Sequence, residues 1–323
     1  MKIAFQHKEN EFNNQLLDGF RARLPEHEVL SWQLDQAAPC QDLEAVISTG
    51  KVERECLDSQ PRLAFIQTAS TGYESVDIDA ATELGIWVSY APSDITGNAI
   101  SVAEFAVLLI LGAARRIGEE LRAQAKGEVS PVRINPALFG KTVCIVGLGA
   151  IGKLLMDRLR PFGVKIVATK SQANHAPEDV TIYTPDQLKE AVSEADFVVI
   201  CVRASEENKH LIDAEIFAAM KRGANVINIA RGSLIDEDAL RSAIESGQVR
   251  SAALDVLAHE PPDPKDPLLA LPDVLVTPHR AGLSDLMLEG TIDYIVEAIN
   301  EVAKGNKPES VLNSPQHPRI ALR

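Results

Sequence analysis

The 323-residue sequence has only four cysteines, no two of them spaced as C-x-x-C, and no uninterrupted apolar run of membrane length. Cys40, Cys56, Cys144 and Cys201 stand far apart, and the last two lie in apolar strand-like stretches where thiols are commonly buried, which points to a reducing cytoplasm. The most apolar stretch, "FAVLLILGAA", is about half the length a bilayer crossing needs, and "MKIAFQHKEN" at the start lacks the apolar segment of a signal peptide. Neither export nor membrane insertion is expected. Positive charge is also scarce: the formal net charge is -14, which repels phosphate backbones and anionic lipid surfaces, so a small ligand fits better than nucleic acid or membrane. His7, His27, His175, His210 and His317 lie in unrelated polar surroundings, with no pair at metal-ligand spacing beside a third ligand, and no metal is expected. Short repeats and low-complexity tracts are absent.

Apolar residues make up 46% of the chain, enough for two cores of ordinary size. "KIAFQ", "EVLSW", "AVIST", "LAFIQTAS" and "IWVSY" alternate with amphipathic helical segments up to about residue 97, which predicts a parallel sheet covered by helices. A helix follows over 98–117, apolar almost all round and so suited to burial between domains or subunits, or equally to the core of one domain. From Lys141 the alternation restarts, and "KTVCIVG", "VKIVATK", "DFVVICV", "ANVINIA", "SAALDV" and "DVLVTP" predict six strands of a doubly wound sheet. A final helix over 284–305 and a tail rich in breakers are expected to return to the first domain. The predicted division is therefore 1–97 with 289–323, and 98–288. Two crossings between domains would leave a cleft able to open and close.

"GLGAIG" at 147–152 follows the strand "TVCIV" and opens a helix, the context a dinucleotide fingerprint needs. Gly147 permits the tight turn, Gly149 lets backbone approach a pyrophosphate, and Gly152 lets the helix pack on the strand. Ala150 and Ile151 then begin a helix whose N-terminus faces the anion. Three polar residues stand at or just beyond later strand ends, where ligands of open parallel sheets bind: Arg231, Glu260 and His279. Each alone could be an ordinary loop residue. Together they suit hydride transfer.

"GLGAIG", "NIARGSLIDEDAL", "ALDVLAHEPP" and "VTPHRAG", with "TASTGYESVDIDAATELGIWV" and "NAISVAEFAVLLIL" upstream, resemble the D-isomer-specific 2-hydroxyacid dehydrogenases over nearly the whole chain. The resemblance implies an α/β protein with a Rossmann-type nucleotide-binding domain, a flavodoxin-like substrate-binding domain and an active-site cleft between them. It makes Arg231, Glu260 and His279 catalytic. An imidazole, with an ordinary pKa of about 6.5, can give and take a proton near neutral pH, so His279 suits reduction of a 2-oxo acid. Glu260 would orient the ring and favour its protonated form, and Arg231 would bind the substrate carboxylate and polarise the carbonyl. The same resemblance puts the backbone amides of Ser70, Thr71 and Gly72 on the carboxylate, Asp255 near the nicotinamide carboxamide and Asn98 near the active site, and it implies a homodimer, for which the helix 98–117 is the expected interface. His259, adjoining Glu260, is discounted because the family varies there.

Three departures bear on the ligands. Lys170 stands 18 residues after Gly152, where NAD-specific members carry an aspartate for the ribose hydroxyls. Lys170, with the hydroxyls of Thr169 and Ser171, could hold the 2′-phosphate of NADP(H) that an aspartate would repel. Arg203, where the family commonly has proline, borders the adenine side and could flank the same phosphate; NADP(H) is expected to be preferred, with NAD(H) possible. Arg280, after His279, replaces a small or apolar residue and either reads a second anionic group or turns outward; Tyr73 would narrow the substrate pocket. The leading expectation is an NAD(P)-dependent reductase of small 2-oxo acids such as glyoxylate, hydroxypyruvate or pyruvate. A nucleotide-sensing corepressor on the same fold is the alternative of another class. A formate dehydrogenase fits less well, since it pairs its histidine with glutamine where Glu260 stands.

Overall fold

Period-two alternation decides which side chains each strand sends to which face. The structure, a computed structural model, describes residues 1–171, 177 and 179–323. In β1 (Lys2–His7), Ile3 and Phe5 join Phe20, Ile295 and Ile299 on one face, while Ala4 joins Leu43, Leu57 and Leu63 on the other. With β2 (Glu28–Gln33), β3 (Ala45–Ser48), β4 (Phe65–Thr68) and β5 (Trp87–Ser89), β1 forms a sheet in the order β2-β1-β3-β4-β5, every pairing parallel. This is the flavodoxin-like order.

The second sheet repeats the logic. Cys144 and Val146 of β6 (Thr142–Val146) enter one apolar cluster, and Val143 and Ile145 the opposite one. It comprises β6, β7 (Lys165–Thr169), β8 (Val180–Tyr183), β9 (Phe197–Ile200), β10 (Ala224–Asn228), β11 (Val249–Leu254) and β12 (Val274–Val276). The order is β12-β11-β10-β9-β6-β7-β8, all parallel. Reversal at β6 makes its carboxyl end the switch point of a doubly wound sheet. Fully burying one such aliphatic side chain is worth roughly 1.5–3 kcal/mol, so two-faced burial makes these strands the stable scaffold.

The chain divides into two compact units, Met1–Asn98 with Leu283–Arg323, and Ala99–Gly282. Sequence reasoning placed the return at 288/289. The break comes earlier because the helix Asp285–Ala303 already packs on the first unit at its start, where Leu286 lies against Gly97 and the Thr96 backbone against Gly290. The sheet of the second unit has a seventh strand that the six expected ones omitted, β8. It is a four-residue edge strand paired only to β7, too short for periodicity to separate from loop.

The apolar helix runs Asn98–Arg115 and ends two residues before the expected 117, since Arg116 adopts a left-handed φ of 53° and its guanidinium pairs with Asp273 at 2.9 Å. A second helix, Ile117–Ala125, follows at once. At 18 residues, Asn98–Arg115 has the length and composition of a membrane span, being longer than the apolar stretch within it, and 56% of it is buried inside the protein. Its Val102, Ala103, Ala106, Leu109, Ile110 and Ala113 are spent on the core beside β6.

Candidate active site

The glycine loop is shaped by steric demand. Gly147 follows β6 with φ 101°, and a Cβ there would stand 2.7 Å from the Val202 backbone. A Cβ on Gly152 would stand 2.3 Å from the Gly147 carbonyl oxygen, so loop and helix can approach only with glycine at both places. Gly149 differs: nothing lies within 4 Å of where its Cβ would be, and as N-cap of the helix Ala150–Leu159 it offers no side chain to the first-turn N–H groups. That open, uncapped helix end, begun by Ala150 and Ile151, fits a pyrophosphate.

Thr169, at the end of β7, is buried, and its hydroxyl accepts the Gly147 N–H at 3.0 Å. It anchors the loop from inside, leaving half-exposed Lys170 and exposed Ser171 at the rim. Arg203, also exposed, lies three residues past β9. β7 and β9 flank β6, so Lys170 and Arg203 follow the ends of strands about 10 Å apart, either side of the strand that leads into the glycine loop. His175 lies outside the described residues.

Two buried residues hold the catalytic candidates in place. Asn228, ending β10 and fully buried, accepts the Ala230 N–H at 3.0 Å and donates to the Arg231 carbonyl at 2.9 Å. Arg231 therefore leaves the sheet in a fixed turn. Asp255, just past β11 and 1% exposed, accepts the Thr277 hydroxyl at 2.6 Å, the Arg280 N–H at 2.8 Å and the Ala281 N–H at 2.9 Å. Its carbonyl takes the His279 N–H at 2.8 Å. These bonds hold His279 at φ 54°, a left-handed conformation unfavourable for a side chain with a Cβ.

His279 Nδ1 lies 2.9 Å from Glu260 Oε2. An ionised carboxylate can only accept, so Nδ1 carries the proton and Nε2 is left for exchange with a ligand. The imidazole is 49% exposed, so that exchange is accessible. Burial pushes the Glu260 carboxyl up. Hydrogen bonds from His279 and the Leu257 N–H, with the charges of His279 and Arg231, outweigh burial and hold it below the ordinary carboxylate value. His259 is exposed, and Arg280 is exposed with its backbone tied to Asp255.

In the five-stranded sheet, the loop after β4 is arranged by its carbonyls. Ser70 O accepts the Thr68 hydroxyl at 2.8 Å and the Ala91 N–H at 3.2 Å, and Gly72 O accepts the Ser70 hydroxyl at 2.8 Å. Among the described residues, no backbone acceptor takes the N–H groups of Ser70, Thr71 or Gly72, and the Thr71 hydroxyl is buried without a partner. Three successive donors are thus left for an anion. Tyr73 packs edge-on to Tyr90 with centroids 5.6 Å apart, and Asn98 begins its helix half-buried.

The model of the D-isomer specific 2-hydroxyacid dehydrogenase NAD-binding domain matches residues 107–281. The chain belongs to this family. It is 31% identical over 310 residues to a glyoxylate reductase of Korarchaeum cryptofilum, covering 90% of this chain and 92% of that protein. It is 35% identical over 283 residues to D-3-phosphoglycerate dehydrogenase of Methanocaldococcus jannaschii, covering 87% of this chain and 53% of that protein. The chain thus spans about half the length of that dehydrogenase. Among solved structures, an NADPH-dependent glyoxylate/hydroxypyruvate reductase of Sinorhizobium meliloti superposes with a TM-score of 0.84 at 26% identity, covering 98% of this chain and 99% of that one.

Within this family framework the structure brings Glu260 and His279 into contact and sets Arg231 at a neighbouring strand end. Sequence reasoning missed the use of Asn228, Asp255 and Thr277 as supports. Asp255 carries a signal for this in the sequence, an acid directly after the apolar run that closes β11.

Proposed function

We propose that the protein is a cytoplasmic reductase of small 2-oxo acids of the glyoxylate or hydroxypyruvate kind, forming D-2-hydroxy acids with NADPH preferred over NADH. The observation that carries this reading is the Glu260–His279 pair at 2.9 Å on a turn held by buried Asp255. A bound nicotinamide supplies hydride to the carbonyl carbon. His279 Nε2 gives the proton to the carbonyl oxygen, Glu260 keeps the ring oriented as it changes charge, and Arg231 takes the carboxylate and polarises the carbonyl. The loop 69–73 binds substrate through its main-chain N–H groups. The stretch "IQTASTGYESV" has Glu74 and no lysine or arginine, which favours an unphosphorylated substrate over a phosphoglycerate. A panel of 2-oxo acids with each reduced cofactor tests this. Oxidation with glyoxylate or hydroxypyruvate is expected, and no turnover with any 2-oxo acid would leave a nucleotide-sensing role.

For the cofactor, Lys170 and Arg203 supply two cations beside the glycine loop, and Ser171 a hydroxyl. Lys170→Asp should reverse the preference and Arg203→Ala should weaken NADPH alone, by a few-fold each at such exposure. Both effects should decline as salt rises. Equal use of the two cofactors by wild type and variants would refute the preference.

The same reading has the protein work as a homodimer. Leu108 is 57% exposed on the apolar helix, and Val129, Val132, Ile134 and Phe139 are at least 82% exposed on the segment that follows, an apolar surface suited to a second copy. Light scattering should report twice the 35.0 kDa chain mass.

A further inference from the structure

The turn that carries Glu260 is held by two carboxylates, and only one of them is its own. Leu257 N–H donates to Glu260 Oε1 at 3.0 Å, while the next N–H, that of Ala258, donates to Glu237 Oε1 at 2.8 Å. Glu237 is the first residue of the helix Glu237–Glu245, whose start is set by Asp236 accepting the Ala239 N–H at 3.0 Å. The same turn lies directly on Gly232, where a Cβ would stand 1.9 Å from the Leu257 carbonyl carbon and 2.2 Å from Ala258 N. Gly232 therefore sets how closely the turn approaches, and Glu237 ties its next peptide.

We propose that Glu237 is a positioning residue for the reaction, which anchors the turn 257–260 through the Ala258 N–H and so keeps Glu260 within reach of His279. This rests on the catalytic reading of that pair. Glu237 touches neither His279 nor Glu260 by any hydrogen bond among the described residues, and acts through the backbone alone. Asp238 on its own helix, His259 on the turn and Asp266 beyond it face Glu237; His279 and Arg231 face Glu260.

The sign of the pH effect follows. Glu260 is held below the ordinary carboxylate value by its bonds from His279 and the Leu257 N–H, so its carboxylate persists below that value and is lost as pH falls through the depressed one. Loosening the turn weakens both bonds, and the acid limb of kcat/KM moves to higher pH.

The test uses Glu237→Ala, Glu237→Gln and Glu237→Asp in the whole protein, each checked by circular dichroism, with His279→Ala alongside. Glu237→Ala should lower kcat by about three- to tenfold, the size of one hydrogen bond, raise the acid limb, and leave KM for NADPH unchanged. Glu237→Gln keeps an acceptor at the same reach and should match wild type. Glu237→Asp keeps the charge but is one methylene shorter, and should behave as Glu237→Ala. If the alanine variant does not fold, the Gln and Asp pair still decides. Any pattern but rescue by Gln and failure of Asp overturns the proposal. Full turnover in His279→Ala would instead overturn the catalytic reading, whereas its loss beside an unaltered, folded Glu237→Ala defeats the positioning role alone.

Discussion

At the carboxyl edge of the seven-stranded sheet the candidate chemistry rests on side chains, and each has a buried polar support: Thr169 under the glycine loop, Asn228 under Arg231, Asp255 under His279. At the same edge of the five-stranded sheet, the loop 69–73 offers main-chain N–H groups and takes its shape from bonds to its carbonyls, from the Ser70 hydroxyl within it and from Thr68 and Ala91 beside it. The difference is one of geometric demand. A proton-transferring side chain has several rotatable bonds and works only when backbone and ring are both fixed. A row of peptide donors is fixed as soon as the loop is, and tolerates changes of side chain.

The comparison is broken most severely at Asp255. Asp255→Ala leaves three donors without their acceptor, one of them on buried Ala281, and should cost about 3–5 kcal/mol at roughly 1–3 kcal/mol per buried group. Thermal unfolding of the variant should shift down on the order of 10 °C, with turnover lost. An unchanged melting temperature would show that the turn holds His279 without Asp255.

His279→Ala separates support from chemistry. The ring is 49% exposed, so stability should hold while kcat falls by roughly 100-fold or more, the scale of a lost general acid. Steady-state kinetics beside a melting curve checks both halves.

The glycine loop sharpens the contrast within one sheet. Gly152→Ala drives a Cβ into the Gly147 carbonyl oxygen and should lower both stability and cofactor affinity. Gly149→Ala meets nothing in the protein, so it should leave the melting temperature within about 1 °C, a shift below 0.5 kcal/mol. It should still weaken cofactor binding, read by quenching or calorimetry. Weakening by Gly152→Ala alone would mean that Gly149 faces no ligand.

The smallest effect belongs to the five-stranded sheet. Ser70→Ala removes one hydroxyl bond to Gly72 and keeps every N–H, so KM for the 2-oxo acid should rise by no more than about threefold. Ser70→Pro removes a donor and should raise it further. Equal effects of the two would move recognition from main chain to side chain.

Eleven of the twelve strands among the described residues were legible because alternation of apolar residues is a local property that reports two-faced burial directly. β8 escaped as a short edge strand, and the end of the apolar helix escaped because Arg116 turns left-handed to meet Asp273, 157 residues along the chain. The glycine loop was legible for a similar reason, since the absence of a Cβ is written in the residue type and its purpose follows from the strand before and helix after.

The types and order of Arg231, Glu260 and His279 are likewise properties of the sequence alone, as is the lysine at 170. The tertiary structure decided how they are held. Asp255 reaches Thr277, Arg280 and Ala281 because β11 and β12 are hydrogen-bonded neighbours, and Glu237 reaches Ala258 because its helix follows β10, which also pairs with β11. Whether a carboxylate binds a ligand or a backbone depends on which donors the fold brings within 3 Å, and parallel strands bring together residues twenty or more positions apart.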